Sequence, residues 1–155
     1  MSNIDRILDN LRRQCSRREY CSGDILKKAE KALEGDTDQA AKVLETLVKE
    51  KYVDDLRYAG AFARDKSAIS GWGEVKIRYM LSSKGVDRET ISRALEEIDA
   101  GKADDRFKKL IDNKYKSLKD DPQCKLKLLR FALGRGYSYD EASAVIDSLL
   151  SSEQW

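Results

Sequence analysis

Small and apolar residues recur at a spacing of 51 positions in the second half of the chain. Gly85 and Gly136 form one such pair. Four more pairs keep the same offset: Ile91 and Ala142, Ala94 and Val145, Leu95 and Ile146, and Ile98 and Leu149. Five matches at one offset are hard to obtain by chance in segments this polar. They predict a structural unit of about 50 residues that occurs more than once.

Apolar residues within each repeat follow the spacing of amphipathic helices. Near the start of the chain, Ile4, Ile7, Leu8 and Leu11 lie at positions i, i+3, i+4 and i+7. Proline occurs once in the chain, so long helices are permitted throughout. We therefore predict an all-α fold: an elongated tandem array of three three-helix repeats, about nine helices in total, with the repeats at residues 1–52, 53–101 and 102–155.

A three-helix repeat of this size buries too little apolar surface to be comfortable alone, so neighbouring repeats are expected to share their stability. Charged residues make up 37% of the chain, compared with roughly 25% in an average soluble domain. This composition leaves a large solvated surface, which suits an array of thin repeats better than one compact ball.

Aspartate and serine residues stand where the predicted helices begin. A side chain at such a position accepts a hydrogen bond from a free backbone N–H of the first helical turn. For the third helix of each repeat the candidates are Asp36, Asp87 and Ser138, and Ser138 has capping-box spacing with Glu141. For another helix we expect Ser22 or Asp24 to accept from the free N–H groups. We also expect a cap at Asp54 or Asp55, a helix start at Asp104 or Asp105, and a cap at Asp121 with Pro122 in the first helical position.

The residue types that carry most catalysis and metal binding are scarce. The chain has no histidine, the commonest general base and metal ligand. Cys15, Cys21 and Cys124 form no CxxC pair, which disfavours zinc and disulfides and is typical of a reduced cytosol. Gly71 and Gly73 lack the third glycine and the preceding strand of a dinucleotide site. We predict no enzymatic activity, no catalytic residue, no cofactor and no metal.

Positive and negative segments alternate along the chain with the repeat. Residues 56–86 carry a net charge of +4 and residues 106–135 one of +7, whereas residues 87–105 and 136–155 each carry −4. Because the basic segments occupy equivalent places and hold few acids, they predict a surface for phosphates or for an acidic protein. The candidate binding residues are Arg57, Arg64, Lys66, Lys76, Arg78, Lys84, Lys108, Lys109, Lys125, Lys127, Arg130 and Arg135.

The second and third helices of each repeat are spaced like a helix-turn-helix, whose later helix enters the DNA major groove. A DNA-binding transcriptional regulator is therefore the alternative function. In the second repeat the later helix carries Glu89, Glu96, Glu97 and Asp99 against Arg88 and Arg93, and in the third it carries no lysine or arginine. An acidic helix opposes docking on phosphates, so sequence-specific readout is the less favoured hypothesis.

Three segments together resemble the RecX family of regulatory proteins. They are YVDDLRYAGAFAR, GEVKIRYMLSSKGV and LLRFALGRGYSYDEASAVI, in that order and spacing, with the weaker REYCSGDILKK near the start. The resemblance covers nearly the whole chain and is strongest from Lys51 to Ile98. Its motifs are typical of the fold and identify no catalytic set. Trp72 departs from the pattern, because it stands in a loop where we expect a proline.

The resemblance implies a cytoplasmic protein that binds the RecA recombinase and its DNA filament. Members of such a family block filament growth or promote disassembly, which lowers strand exchange, ATP hydrolysis and the coprotease activity of the SOS response. It follows that the chain is expected to act in DNA repair and recombination as a RecA inhibitor, working by occupancy of the filament groove. We also expect a monomer, weak non-specific DNA binding, and no membrane segment.

Overall fold

The structure is a computed structural model that describes residues 2–153. Within these residues the chain forms nine α-helices and no strand, which confirms the predicted all-α array of three-helix repeats. The helices are α1 (Asn3–Arg17), α2 (Ser22–Ala32), α3 (Thr37–Lys49), α4 (Asp55–Ala68), α5 (Glu74–Ser83), α6 (Arg88–Leu95), α7 (Ala100–Leu118), α8 (Cys124–Gly134) and α9 (Tyr139–Glu153). None of the helices in this range is both long enough and apolar enough to cross a membrane.

The N-caps of the third helices α3, α6 and α9 keep a constant spacing of 51 residues. Asp36 accepts a hydrogen bond from the backbone N–H of Gln39 (3.1 Å), and Asp87 accepts one from Thr90 (2.8 Å). Ser138 accepts from the N–H of Glu141 at 3.2 Å, and the Glu141 carboxylate accepts from the N–H of Ser138 at 3.1 Å. The predicted capping box is confirmed, and the spacing extends through all three repeats.

The second helix of every repeat is followed by a glycine in the left-handed region of backbone space. The φ angles are +89° at Gly35, +85° at Gly85 and +95° at Gly136. Glycine adopts this conformation without the steric cost that a side chain brings, so it ends the helix and turns the chain towards the next one. The first repeat thus has the same stop as the others, although Glu34 precedes its glycine in place of a basic residue.

Helix α7 begins earlier than the sequence predicts. The predicted start at Asp104 or Asp105 is wrong, because the helix begins at Ala100 and Asp99 is its N-cap, accepting from the Lys102 N–H at 3.1 Å. Asp104 lies inside the helix and pairs with Lys108 four residues on, at 2.9 Å. The adjacent pair Asp104 and Asp105 indicates a cap, but Asp99, which lies five residues before Asp104, accepts the hydrogen bond at the start of the helix instead.

Helix α8 begins later than the sequence predicts. The predicted cap at Asp121, with Pro122 in the first helical position, is wrong, because the helix begins at Cys124 after a turn. Asp121 still accepts a backbone hydrogen bond, from the N–H of Gln123 at 2.8 Å, and so closes the turn that leads into the helix.

The adjacent residues Asp54 and Asp55 cap two different helices. Asp54 accepts from the backbone N–H of Arg57 at 3.0 Å and so caps α4. Asp55 accepts from the N–H of Ser22 at 2.7 Å and supplies the acceptor for α2. The predicted local cap from Ser22 or Asp24 is wrong, since Cys21 occupies the N-cap position and its side chain makes no cap hydrogen bond. A free backbone N–H at the start of α2 is therefore hydrogen-bonded by a residue 33 positions away.

The chain divides into two compact units. The first comprises the chain up to Phe62 together with Leu81–Ala94, and the second comprises Ala63–Met80 together with the chain from Leu95 onwards. The cluster at the core of the first unit is built from α1, α2, α3 and the residues that follow α3. Its buried members are Ile7, Leu11, Ile25, Ala29, Ala40, Val43, Leu47 and Val53.

The core cluster of the second unit lies among α7, α8 and α9. The rings of Phe107 and Tyr137 stack there with their centroids 3.7 Å apart. The other buried members are Ile111, Leu128, Ala132, Ala142 and Ile146. These clusters contain the apolar stripes that the helical spacing predicts, because residues at i, i+3 and i+4 share one face of a helix.

Candidate interaction surface

In the first unit, the N-terminus of α2 lies against the residue that follows α5. A Cβ atom on Gly23 would lie 2.5 Å from the carbonyl oxygen of Lys84, so only glycine permits this approach. The Lys84 ammonium pairs with the Asp24 carboxylate at 3.2 Å. That hydrogen bond raises the pKa of Lys84. Lys84, predicted from the sequence as a binding residue, therefore holds a contact within the protein.

The second unit contains a similar contact, between the N-terminus of α5 and the end of α8. The backbone N–H of Gly73 donates to the Arg135 carbonyl at 2.8 Å, and that of Val75 donates to the Gly136 carbonyl at 2.9 Å. The Arg135 guanidinium donates to the Ser70 carbonyl at 2.9 Å. We call each of these contacts a junction. In both, the positive end of one helix meets the carbonyl groups that end another, which is electrostatically favourable.

Arg57 also has an internal role. Its guanidinium donates to the Glu19 carboxylate at 2.7 Å and to the carbonyl groups of Lys51 and Tyr52 at 3.2 and 3.3 Å. These bonds connect the start of α4 to the segment between α1 and α2 and to the residues that follow α3. Three of the twelve candidate residues, Arg57, Lys84 and Arg135, are thus committed to packing contacts.

Most of the candidate cations have a carboxylate partner. This corrects the expectation that few acids lie near them, which rested on sequence neighbours alone. At least seven of the twelve are paired within the described part of the chain: Arg57 with Glu19, Arg64 with Glu97, Arg78 with Glu74, Lys84 with Asp24, Lys108 with Asp104, Lys125 with Asp147, and Lys127 with Asp121.

Exposed pairs of this kind remain available to a partner. In the Arg64–Glu97 pair, for example, 52% and 54% of the two side chains are exposed. Such pairs stabilise a fold by only about 0–1 kcal/mol, because water and salt screen the attraction. A partner that offers phosphates or carboxylates can therefore take over the cation at little cost to folding.

Lys109 and Arg130 are exposed and have no carboxylate partner among residues 2–153. Lys109 lies on α7 and Arg130 on α8, and both belong to the second unit. These two cations are the most direct candidates for contact with an acidic surface, because no internal ion pair has to be broken first.

Two further candidate cations lie over an aromatic ring. The ammonium groups of Lys66 and Lys76 lie 4.8 and 4.3 Å from the centroid of the Trp72 ring. Arg135 is bonded to the same loop through the Ser70 carbonyl. We call Lys66, Trp72, Lys76 and Arg135 the loop cluster. Sequence reasoning placed its three cations in the candidate set but missed Trp72, whose position between two lysines in a basic segment was the available signal.

The side chains that could bind a metal and the three thiols were the remaining candidates for chemistry in the described residues. No three histidine, cysteine, aspartate or glutamate side chains within residues 2–153 come together as a metal site would require. Burial is the largest influence on the thiols of Cys15, Cys21 and Cys124, and it raises the pKa of each. A raised pKa keeps a thiol protonated and a poor nucleophile at neutral pH.

A cavity of about 330 Å³ opens in the second unit beside Trp72, Phe107 and Tyr137. Three carboxylates also line it, and each has a partner. Glu74 pairs with Arg78 at 2.8 Å, Asp104 pairs with Lys108 at 2.9 Å, and Glu141 accepts from the backbone N–H of Ser138. These acids are explained by local ion pairs and capping.

The acidic residues of the third helices are explained in the same way. Asp140 and Glu141 lie in the first turn of α9, and Glu89 lies in the first turn of α6. Negative side chains stabilise this end of a helix because the unpaired N–H groups there carry positive partial charge. The acids of α9, which has no lysine or arginine, disfavour it as a helix that reads a DNA groove. The expected acidity of α6 is wrong, because the helix ends at Leu95 before Glu96 and Glu97 and carries Arg88 and Arg93 beside Glu89.

Two segments of the chain match family models of known repeats. Residues 54–95 match the model described as RecX, second three-helix domain, and residues 103–146 match the model described as RecX, third three-helix domain. These matches fall on the segments that carry the repeat.

Relatives and solved structures agree with these matches. The chain is 35% identical over 125 residues to a regulatory protein RecX from a Mycobacterium species, covering 77% of this chain and 68% of the relative. It is 34% identical over 131 residues to one from Clostridium perfringens, covering 82% and 60%. A crystal structure of RecX from Lactobacillus salivarius superposes with a TM-score of 0.81 at 20% identity, covering 95% of this chain and 96% of that one. The chain thus spans less than two thirds of the length of the Clostridium perfringens relative.

Proposed function

The chain belongs to the RecX family of regulatory proteins, and on that premise we propose that it binds the RecA recombinase and its DNA filament and lowers their activity. Filament growth, ATP hydrolysis, strand exchange and the SOS coprotease activity would all fall together, because each depends on the same filament. A protein with this partner would work in the cytoplasm, in DNA repair and recombination.

We propose that the inhibition works by occupancy and without catalysis. The observation that carries this proposal is the distribution of charge: basic side chains on α4, α5, α7 and α8, with acidic residues in the turn after α6 (Glu96, Glu97 and Asp99) and on α9. Alternating charge of this kind can match a partner that also presents both signs, which favours encounter and fixes register. The surface of a RecA protomer beside the phosphate backbone of the DNA in the filament is such a partner.

Lys109 and Arg130 supply the sharpest test of this proposal. We expect the wild-type chain to lower the rate of ATP hydrolysis by RecA on single-stranded DNA in a concentration-dependent way. The double variant Lys109→Glu/Arg130→Glu should need about tenfold more protein for half inhibition, because two attractive charges become repulsive.

The matched control reverses two exposed lysines of the first unit, Lys27 on α2 and Lys42 on α3. Lys27→Glu/Lys42→Glu changes the net charge equally and should leave the half-inhibitory concentration within about twofold of wild type. If both double variants weaken inhibition equally, the effect comes from net charge and the assigned surface is wrong. If the wild-type chain fails to inhibit and fails to co-sediment with the filament, the proposed function is wrong.

The alternative function, a helix-turn-helix transcriptional regulator, predicts a preferred duplex. Selection from a random pool would enrich one sequence if α6 or α9 read the groove. We expect no enrichment, and a steep loss of any duplex binding as salt rises, since binding without base contacts depends on phosphates alone.

A further inference from the structure

Hydrogen bonds hold the backbone of the loop that carries Trp72. The backbone N–H of Trp72 donates to the Lys66 carbonyl at 2.9 Å. On either side, the Ser70 carbonyl accepts from the Arg135 guanidinium at 2.9 Å and the Gly71 carbonyl accepts from the Tyr137 hydroxyl at 3.2 Å. The loop that carries the indole ring is therefore anchored before any ligand arrives, so little conformational entropy is lost on binding.

The ring is also surrounded by positive charge. Lys66 and Lys76 place their ammonium groups within 4.8 Å of its centroid, and both side chains are only half-buried. Arg135, which is bonded to the loop of Trp72 through the Ser70 carbonyl, also lies 5.3 Å from the ring centroid of Phe131 on α8, and the Lys114 ammonium lies 5.4 Å from that centroid. Aromatic rings interleaved with flexible cations are the combination that single-stranded nucleic acids require, since every base has a π face and every nucleotide a phosphate.

We propose that the loop cluster is a binding site for single-stranded nucleic acid, in which one base stacks on Trp72 and the ammonium groups of Lys66 and Lys76 bind the flanking phosphates. This inference goes beyond the proposed function, because the site needs no recombinase. It assigns to this chain a direct contact with the strand itself.

A nucleic-acid base should bind the Trp72 ring more strongly than a lysine ammonium group does. A cation over an exposed aromatic ring contributes roughly 2- to 5-fold to an equilibrium constant. A base stacked on an aromatic side chain contributes roughly 5- to 150-fold. A base that displaces one ammonium group from the ring therefore contributes more to binding than the lost cation–π contact did, and the displaced ammonium group can then bind a flanking phosphate.

The same geometry distinguishes a single strand from two other polyanions. In a duplex the bases are paired and stacked on each other, so none can reach an indole on a loop. An acidic protein segment can bind the lysines but presents no flat ring to stack on Trp72. Trp72 is therefore the residue whose removal should separate single-strand binding from general affinity for negative charge.

Tryptophan fluorescence gives a direct measurement. The chain has two tryptophans, Trp72 and Trp155, so a Trp155→Phe background leaves Trp72 as the reporter. We expect an oligothymidylate of about 15 nucleotides, near the upper site size of a small binding fold, to quench this fluorescence. A duplex of equal length should quench it much less.

Variants then separate stacking from charge. Trp72→Ala, followed by anisotropy of a labelled oligothymidylate, should weaken binding roughly 5- to 150-fold, whereas Trp72→Phe should retain most of the affinity. Lys66→Gln/Lys76→Gln should lower the salt slope of log K by about 1.4, for two lost phosphate contacts on a single strand. The matched control Lys27→Gln/Lys42→Gln should change the slope less. Circular dichroism checks that each variant is folded.

Two outcomes would overturn the site: oligothymidylate leaves Trp72 fluorescence unchanged, or folded Trp72→Ala binds oligothymidylate as tightly as wild type. The result is independent of the regulatory proposal. If single-strand binding by Trp72→Ala is lost while its inhibition of RecA persists, both proposals stand as separate properties. If single-strand binding occurs but RecA is never inhibited, only the regulatory proposal fails.

Discussion

Replacing Gly73 by alanine should destabilise the second unit through its junction. A Cβ atom at this position would lie 2.5 Å from the carbonyl oxygen of Gly136, 2.6 Å from its carbonyl carbon and 2.8 Å from Cγ of Tyr137. Two of these three atoms belong to the backbone, which cannot rotate aside as a flexible side chain can. The variant therefore has to push the N-terminus of α5 away from the end of α8.

The expected loss can be worked out from the contacts involved. Overpacking at a tightly packed site costs about 1–3 kcal/mol. The same displacement stretches two hydrogen bonds, from the N–H groups of Gly73 and Val75 to the Arg135 and Gly136 carbonyls. Each contributes about 0.5–1.5 kcal/mol. We expect the free energy of unfolding to fall by roughly 2–6 kcal/mol, which for a chain of this size lowers Tm by at least about 4 °C.

Gly134 provides the matched control. It is the last residue of α8, and no atom lies within 4 Å of the Cβ that alanine would add. Alanine favours the helix over glycine, so Gly134→Ala should raise the free energy of unfolding by up to about 1 kcal/mol. Thermal and urea denaturation followed by circular dichroism measure both variants. A Gly73→Ala variant that melts no lower than wild type would refute the close approach at the junction.

Three further predictions concern single hydrogen bonds. Ser138→Ala should cost about 1 kcal/mol in urea denaturation, because it removes the N-cap of α9. Tyr137→Phe should cost about 0.5–1.5 kcal/mol, because it removes the donor to the Gly71 carbonyl. The N–H of Thr90 lowers the pKa of Asp87, so this stabilisation is complete above the unfolded pKa of about 3.9 and is lost as pH falls through the folded pKa. Asp87→Asn should therefore flatten the acid limb of stability against pH, as measured by Tm between pH 2 and 5.

Features that depend on neighbours in sequence could be predicted, whereas those that depend on distant partners could not. The matched positions of Gly85 and Gly136 and the capping box at Ser138 follow from local spacing, and the structure places both glycines at equivalent helix ends and contains the box. The helix starts predicted at Asp104 and Asp121 were wrong, because several polar residues in each segment compete for the same N–H groups. The neighbouring residues in the sequence do not determine which side chain accepts the hydrogen bonds.

The candidate surface shows the same division. The basic segments could be read from the chain, but their carboxylate partners could not: Arg64 and Glu97 are 33 residues apart, and Lys84 and Asp24 are 60 apart. Only the fold brings such residues together. Trp72 was overlooked as a binding residue because a lone aromatic residue in a loop gives no periodic signal, and its lysine neighbours on α4 and α5 are defined by the path of the loop.

The contacts divide the twelve candidate cations by what a partner would have to displace. Binding through Arg57, Lys84 or Arg135 would compete with bonds that hold helices together, so charge reversal there tests folding before it tests binding. Exposed pairs such as Arg64 with Glu97 can exchange partners at little cost. Lys109 and Arg130 form no ion pair with any other of residues 2–153, so a partner has none to displace there. Lys66 and Lys76 form a fourth kind, because they lie over the Trp72 ring. A surface chosen by charge alone would therefore mix four kinds of residue, and a loss of inhibition counts as a loss of binding only where reversal leaves the junctions intact.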